Sequence, residues 1–155
     1  MKLIKAFKLM IYIASFISLI LSYIKPNFFF IMFGALAVTL INVAAHELGH
    51  VLACLITKTK VNYVEVMCFR FQNGGLSISN CFSLYGRVNF VTSKFRKAIY
   101  LSGLVVSSII SIVALFLYIY NLYPFIYLMI SVICLLVVII PIKGSDTIKL
   151  FSKEE

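Results

Sequence analysis

Residues 28–56 read FFFIMFGALAVTLINVAAHELGHVLACLI. About 20 predominantly apolar residues suffice to cross a bilayer as a helix, and this run exceeds that. Inside it lies His46-Glu47-Leu48-Gly49-His50, the pattern H-E-x-x-H. On a helix, residues four apart stand one above the other on the same face. His46 and His50 can therefore offer two imidazole nitrogens to one ion. Glu47 can reach a water beside that ion without binding the metal, which is the arrangement of a zinc hydrolase. These are the only two histidines in the chain. Ionisable groups inside an apolar helix are costly, so they point to function rather than to filler.

The rest of the composition agrees with a lipid environment. The chain has 155 residues, enough for one domain. It is 63% hydrophobic and 12% charged, with a mean hydropathy of +1.07. A water-soluble domain has no core large enough to hide that much apolar surface. The net charge of +9 does not indicate nucleic acid, because the positive residues sit at the ends of apolar runs. Anionic headgroups and orientation rules account for them there. The four cysteines, Cys54, Cys68, Cys81 and Cys134, show no C-x-x-C spacing and define no disulfide framework.

Outward from the central run, Lys2, Lys5 and Lys8 precede an apolar stretch over residues 9–24. A signal peptide would start this way, but Ser22-Tyr23-Ile24-Lys25-Pro26 offers no small-x-small cleavage site. A retained first span over 9–24 is expected. Lys25-Pro26-Asn27 is a turn, and the second span covers 28–56. Small residues recur in that span, among them Gly34, Ala37, Ala45 and Gly49, and allow close helix packing. Asn42, one turn before His46, is expected to make an interhelical hydrogen bond or to contact the metal ligands or substrate.

The pattern then changes. Residues 61–93 form a β-rich loop, with strand formers over Val64 to Phe71 and a turn at Gln72-Asn73-Gly74-Gly75. Gly74 and Gly75 suit a turn that needs positive φ, and are also candidate substrate contacts. Strand backbone must not face lipid unsatisfied, so this loop lies at the interface or lines a cavity. Two further spans follow over 98–120 and 125–140, split by Asn121-Leu122-Tyr123-Pro124. Pro141 and Gly144 break the last helix before Asp146, and residues 141–155 make the closing segment and tail. The expected fold class is an all-α integral membrane protein of about four transmembrane helices, with a β-hairpin-like loop between the second and third.

Lysine and arginine counts orient it. The amino end carries three, the loop after the second span seven, the joint of the last two spans none, and the carboxy tail three. Both termini and the β-rich loop are expected on the cytoplasmic side of a cell membrane, with Lys25 as the lone exception.

Two histidines leave a zinc site one protein ligand short. Cys54 continues the histidine face, but eight residues at 1.5 Å rise put it roughly 12 Å along the axis from His46. Glu65 in the loop is a candidate. Glu154 and Glu155 are tail residues. Asp146 is the only aspartate, and it shares with His50 the cytoplasmic end of its span, so it is the favoured third ligand.

HELGH in a membrane helix, a β-rich loop, two further spans and a late Pro141-x-x-x-x-Asp146 together resemble the site-2 protease family of intramembrane zinc metalloproteases. The resemblance covers roughly residues 28 to 150, and no PDZ-like domain accompanies it. It implies a third ligand at Asp146, after a broken helix. Leu101-Ser102-Gly103-Leu104 resembles the remnant of the family's third-span motif, with Ser107 at the position of its asparagine. Leu104 stands for that motif's proline, Val138 for the fourth-span asparagine, and Thr147 for the glycine after the aspartate. Ser107 is thus a candidate substrate or ligand-supporting residue.

Residues and resemblance give one expectation: an endopeptidase with one Zn2+, His46, His50 and Asp146 as ligands and Glu47 as general base. It would cleave a membrane-embedded or membrane-associated peptide, in regulated proteolysis or peptide maturation. A free edge of the β-rich loop would hold the unwound substrate as an added strand. The rival is a non-catalytic relative, a membrane binding or immunity-like protein that keeps the fold. A metal carrier or sensor is a third reading, and it leaves Glu47 without a task.

Overall fold

A computed structural model describes residues 2–78, 86–91, 94–122, 124–140 and 146–151. The chain runs α1 (Lys2–Ile24), α2 (Phe28–Ile56), β1 (Val61–Val66), β2 (Phe69–Gln72), β3 (Gly75–Ile78), β4 (Gly86–Phe90), α3 (Arg96–Ile119), α4 (Phe125–Ile139) and α5 (Asp146–Phe151). It is mainly helical. α2 and α3 are each long and apolar enough to cross a membrane, and α1 and α4 contain shorter apolar stretches.

The ends of α2 follow from local chemistry. Asn27 has an extended backbone, and its side chain accepts a hydrogen bond from the Phe29 N–H at 3.0 Å. That satisfies one of the donors a helix start leaves open. At the other end the Thr57 hydroxyl donates to Ala53 O at 2.8 Å, and Lys58 turns the chain at φ 53°. The Thr59 N–H then closes back on Cys54 O at 2.8 Å, and the chain leaves as strand β1.

The helices bury polar side chains and expose apolar ones. On α1, Lys8, Tyr12, Ser15 and Ser22 are buried, whereas Met10, Ile13, Ile17 and Ile20 are exposed. This reverses the pattern of a helix on a water-soluble domain. α1 packs on α2, α2 packs on α3 and α4, and α5 packs chiefly on α3. Tyr127 of α4 reaches across Gly34 and donates to the Ser22 hydroxyl at 3.0 Å, which ties α4 to α1.

The fold is not all-α. The loop expected as a single hairpin is a four-stranded antiparallel sheet in the order β3-β2-β1-β4. Val64 to Phe71, read as one strand, is two strands joined by a turn at Met67-Cys68, where Met67 has φ 53°. Nothing in the local sequence marks this turn, because methionine and cysteine are not turn residues. What compensates is burial. Met67 and Cys68 pack against Tyr12 of α1, and the Tyr12 and Phe69 rings lie 5.2 Å apart. Val66, Phe69 and Ile78 complete this contact with Leu36 and Leu40 of α2. Glu65 and Arg70 are cross-strand partners whose side chains pair at 3.4 Å.

β1 is an interior strand, so its Val66 lies on no free edge. The outer strands are β3 and β4. Asp146–Phe151, read as part of a polar tail, is the short helix α5. The expected break over 141–145, with Pro141 and Lys143, lies outside the described residues, as do Cys81 and the last residues from 152.

Candidate metal centre

His46 and His50 project from one face of α2, and Asp146 stands at the start of α5. Asp146 Oδ2 is 2.9 Å from His46 Nε2 and 2.8 Å from His50 Nε2, and the two Nε2 atoms are 3.1 Å apart. These are the residues among those described that are grouped closely enough to hold a metal ion. His50 and Asp146 are buried and His46 is half-buried.

The partners of the ring nitrogens decide what this triangle can do. His50 Nδ1 is 2.6 Å from the carbonyl oxygen of Ile99. A carbonyl only accepts, so Nδ1 carries the proton and donates. In the neutral ring Nε2 is then a bare lone pair. His46 Nδ1 is 2.9 Å from the Ser107 hydroxyl, which serves either as donor or as acceptor. With Nδ1 protonated here too, two nitrogen lone pairs and a carboxylate oxygen converge with no proton between them. A metal cation would satisfy all three groups at once, as would a proton held between an imidazole and Asp146. Zinc bonds of about 2.0–2.2 Å at tetrahedral angles separate ligand atoms by roughly 3.3–3.6 Å, so this triangle would open by a few tenths of an ångström to take the ion. The donor set of two imidazoles and one carboxylate suits zinc and leaves a fourth position open. Ile99 and Ser107 hold the rings from behind, as supporting partners of metal-bound histidines do.

Two glycines shape the site. A Cβ at Gly103 of α3 would overlap the His50 ring and the His46 Cε1. Bare backbone at that point lets α3 lie against both rings. A Cβ at Gly86 of β4 would overlap the Glu47 side chain, so the start of β4 rests directly on the carboxyl. Glu47 itself is buried. Neither glycine was singled out from the sequence as a site residue. Gly103 lies inside the quoted Leu101-to-Leu104 segment, but only the fold shows what it clears space for.

His46, Glu47, His50 and Asp146 share the wall of a cavity of about 370 Å³. Asn42, Ser107, Gly86 and Tyr100 line it too, and Ile133, Val137 and Val138 of α4 form an apolar side. β4 borders the cavity and packs on β1 and α2. Asn42 makes the expected helix–helix bond, donating from Nδ2 to Ser131 Oγ of α4 at 3.3 Å. Gly74 and Gly75 do not come to the cavity. Gly74 sits in the β2–β3 turn at φ 73°, and Gly75 opens β3 opposite Gln72. Glu65, the alternative ligand, is engaged with Arg70 in the sheet, and neither Glu65 nor Cys54 joins the metal-binding group.

No family model, no curated protein and no solved structure matches the chain.

Proposed function

We propose that the chain is a membrane-embedded zinc endopeptidase that hydrolyses a peptide bond within or beside a membrane segment. The observation that carries this is the convergence of His46 Nε2, His50 Nε2 and Asp146 Oδ2 within 3.1 Å, beside a buried Glu47 in the same cavity. A carrier or sensor has use for the triangle but none for a glutamate set next to it. The motif order resembles the site-2 proteases, and the activity is read here as theirs.

The reversed burial of α1 and the apolar exteriors of α2, α3 and α4 support four membrane-crossing helices. The lysine and arginine asymmetry supports cytoplasmic termini and a cytoplasmic sheet. The fit of the donor set supports one Zn2+ held by His46, His50 and Asp146. Bound there, it supplies Lewis-acid polarisation and a water acidified toward neutrality. Glu47 takes a proton from the attacking water and returns it to the leaving nitrogen as the C–N bond breaks. Ile99 O and Ser107 keep the imidazoles oriented. α2, α3, α4 and β4 enclose the reacting groups and limit bulk water. Among the described residues β4 has no strand on its outer side, and that edge offers backbone to a substrate that has left its helical form.

The test is reconstitution of the purified chain in liposomes with zinc and a panel of tagged single-span peptides. Wild type should cleave at least one, a chelator should stop it, and Glu47→Gln should keep zinc while losing nearly all turnover. A protein that binds no zinc, or a Glu47→Gln variant that cleaves normally, overturns the proposal.

A further inference from the structure

Asn42 has an amide whose orientation is set by its surroundings. Nδ2 donates to the carbonyl of Val38 at 2.9 Å and to Ser131 Oγ at 3.3 Å. A carbonyl cannot donate, and Ser131 spends its own proton on Tyr127 O at 3.1 Å. Both amide N–H groups therefore point into the bundle, and the group left for the cavity is the acceptor Oδ1. Asn42 lines that cavity one helical turn before His46, on the same face.

An extended peptide directs its N–H and C=O groups alternately to two sides. Backbone on the β4 side meets the strand edge. Backbone on the other side meets α2 and α4, whose wall there includes the apolar Val43, Ile133 and Val137. A main-chain N–H facing that wall needs an acceptor, since a buried donor left unmade is costly. Thr39, one turn further from the histidines on α2, donates its hydroxyl to Ala35 O at 2.9 Å and keeps lone pairs of its own, so Asn42 Oδ1 is the acceptor nearer to them. Ser107 is engaged with His46.

We propose that Asn42 Oδ1 accepts a main-chain N–H of the bound peptide, on the side of the substrate away from β4. This rests on the endopeptidase reading and deepens it. Asn42 grips the backbone rather than a side chain, so it fixes the alignment of the peptide past the zinc ligands without selecting its sequence. The carbonyl of Val38 and the hydroxyl of Ser131 together hold the amide in that orientation.

A peptidyl hydroxamate with several backbone amides serves as probe, together with ester analogues in which one N–H at a time is replaced by oxygen. Binding is measured on the zinc-loaded full chain in detergent. One ester position should weaken binding to wild type by about tenfold, the value of one neutral hydrogen bond with its buried donor. Asn42→Leu should bind the all-amide probe about tenfold more weakly and show no further loss at that same position, with zinc stoichiometry unchanged. Ser131→Ala, which leaves Oδ1 in place with Val38 still holding Nδ2, should stay within about threefold of wild type. Asn42→Leu binding as wild type does, or losing as much at every ester position, overturns the assignment. So does an ester scan of wild type with no sensitive position. A zinc-loaded wild type that does not bind the all-amide probe at all instead removes the endopeptidase reading, and this proposal with it.

Discussion

Thr147 Oγ1 donates a 2.7 Å hydrogen bond to the carbonyl oxygen of Val138. Val138 lies in the last turn of α4, where helix carbonyls have no partner in their own helix. Thr147 directly follows Asp146. One side chain therefore caps α4 and ties down the segment that carries the carboxylate. Thr147→Val removes the hydroxyl at constant shape and should weaken zinc binding about tenfold, the low end for partners that orient a ligand. Thr147→Ser should restore it. Competition with a chromogenic chelator reads both, and equal affinity in all three proteins would show that Asp146 is held by packing alone.

Asp146 Oδ2 is one corner of the triangle with the two histidine nitrogens, and Glu65 lies outside that group. Asp146→Ala should lose zinc during dialysis at neutral pH, while Glu65→Ala should retain it. Metal analysis by mass spectrometry decides. The opposite pattern would assign the third ligand to the sheet.

Gly86 and Gly103 separate chemistry from metal binding. A methyl group at Gly103 has to displace the histidine rings, so Gly103→Ala should lower zinc affinity about tenfold or more. A methyl group at Gly86 meets the Glu47 side chain first. Gly86→Ala should keep zinc near wild-type occupancy and lose most turnover. Equal zinc loss in both variants would mean that the sheet supports the ligands as well.

Sidedness is checked by labelling intact cells with a maleimide that does not cross membranes. A cysteine introduced at exposed Asn121, in the α3–α4 joint, should react, and one introduced at exposed Ser77 of β3 should not. The reverse result would turn the sheet and the cavity of His46, His50 and Asp146 to the outside.

How much of this was legible in the sequence follows from the range of the interactions involved. The bounds of α2 were readable because Asn27 and Lys58 act within one turn of the ends. His46, Glu47 and His50 were readable because their relation is a spacing on one helix. Asp146 could be singled out because the chain has few carboxylates to choose from. The turn at Met67-Cys68 was not readable, since it is held by Tyr12 of α1, far away in sequence. The strand at Gly86–Phe90 lay inside the expected β-rich loop without being marked as a strand, because pairing with β1 across some twenty residues leaves no local mark. Gly86 and Gly103 escaped for the same reason: a missing Cβ means something only when the opposing side chain is known.

The inward-facing hydroxyls of α1 bear on how the protein is made. On the four-span reading, α1 is synthesised first and must reside in lipid before α2 and α4 arrive. Ser15 donates to Ile11 O at 2.8 Å and Ser22 to Leu19 O at 2.7 Å, both within their own helix. Neither hydroxyl is then stranded in hydrocarbon during that interval. These two serines are thus satisfied within their own helix at insertion, and Ser22 later accepts the hydrogen bond that Tyr127 donates. At these two positions, helix docking proceeds without an unmet hydroxyl at any stage.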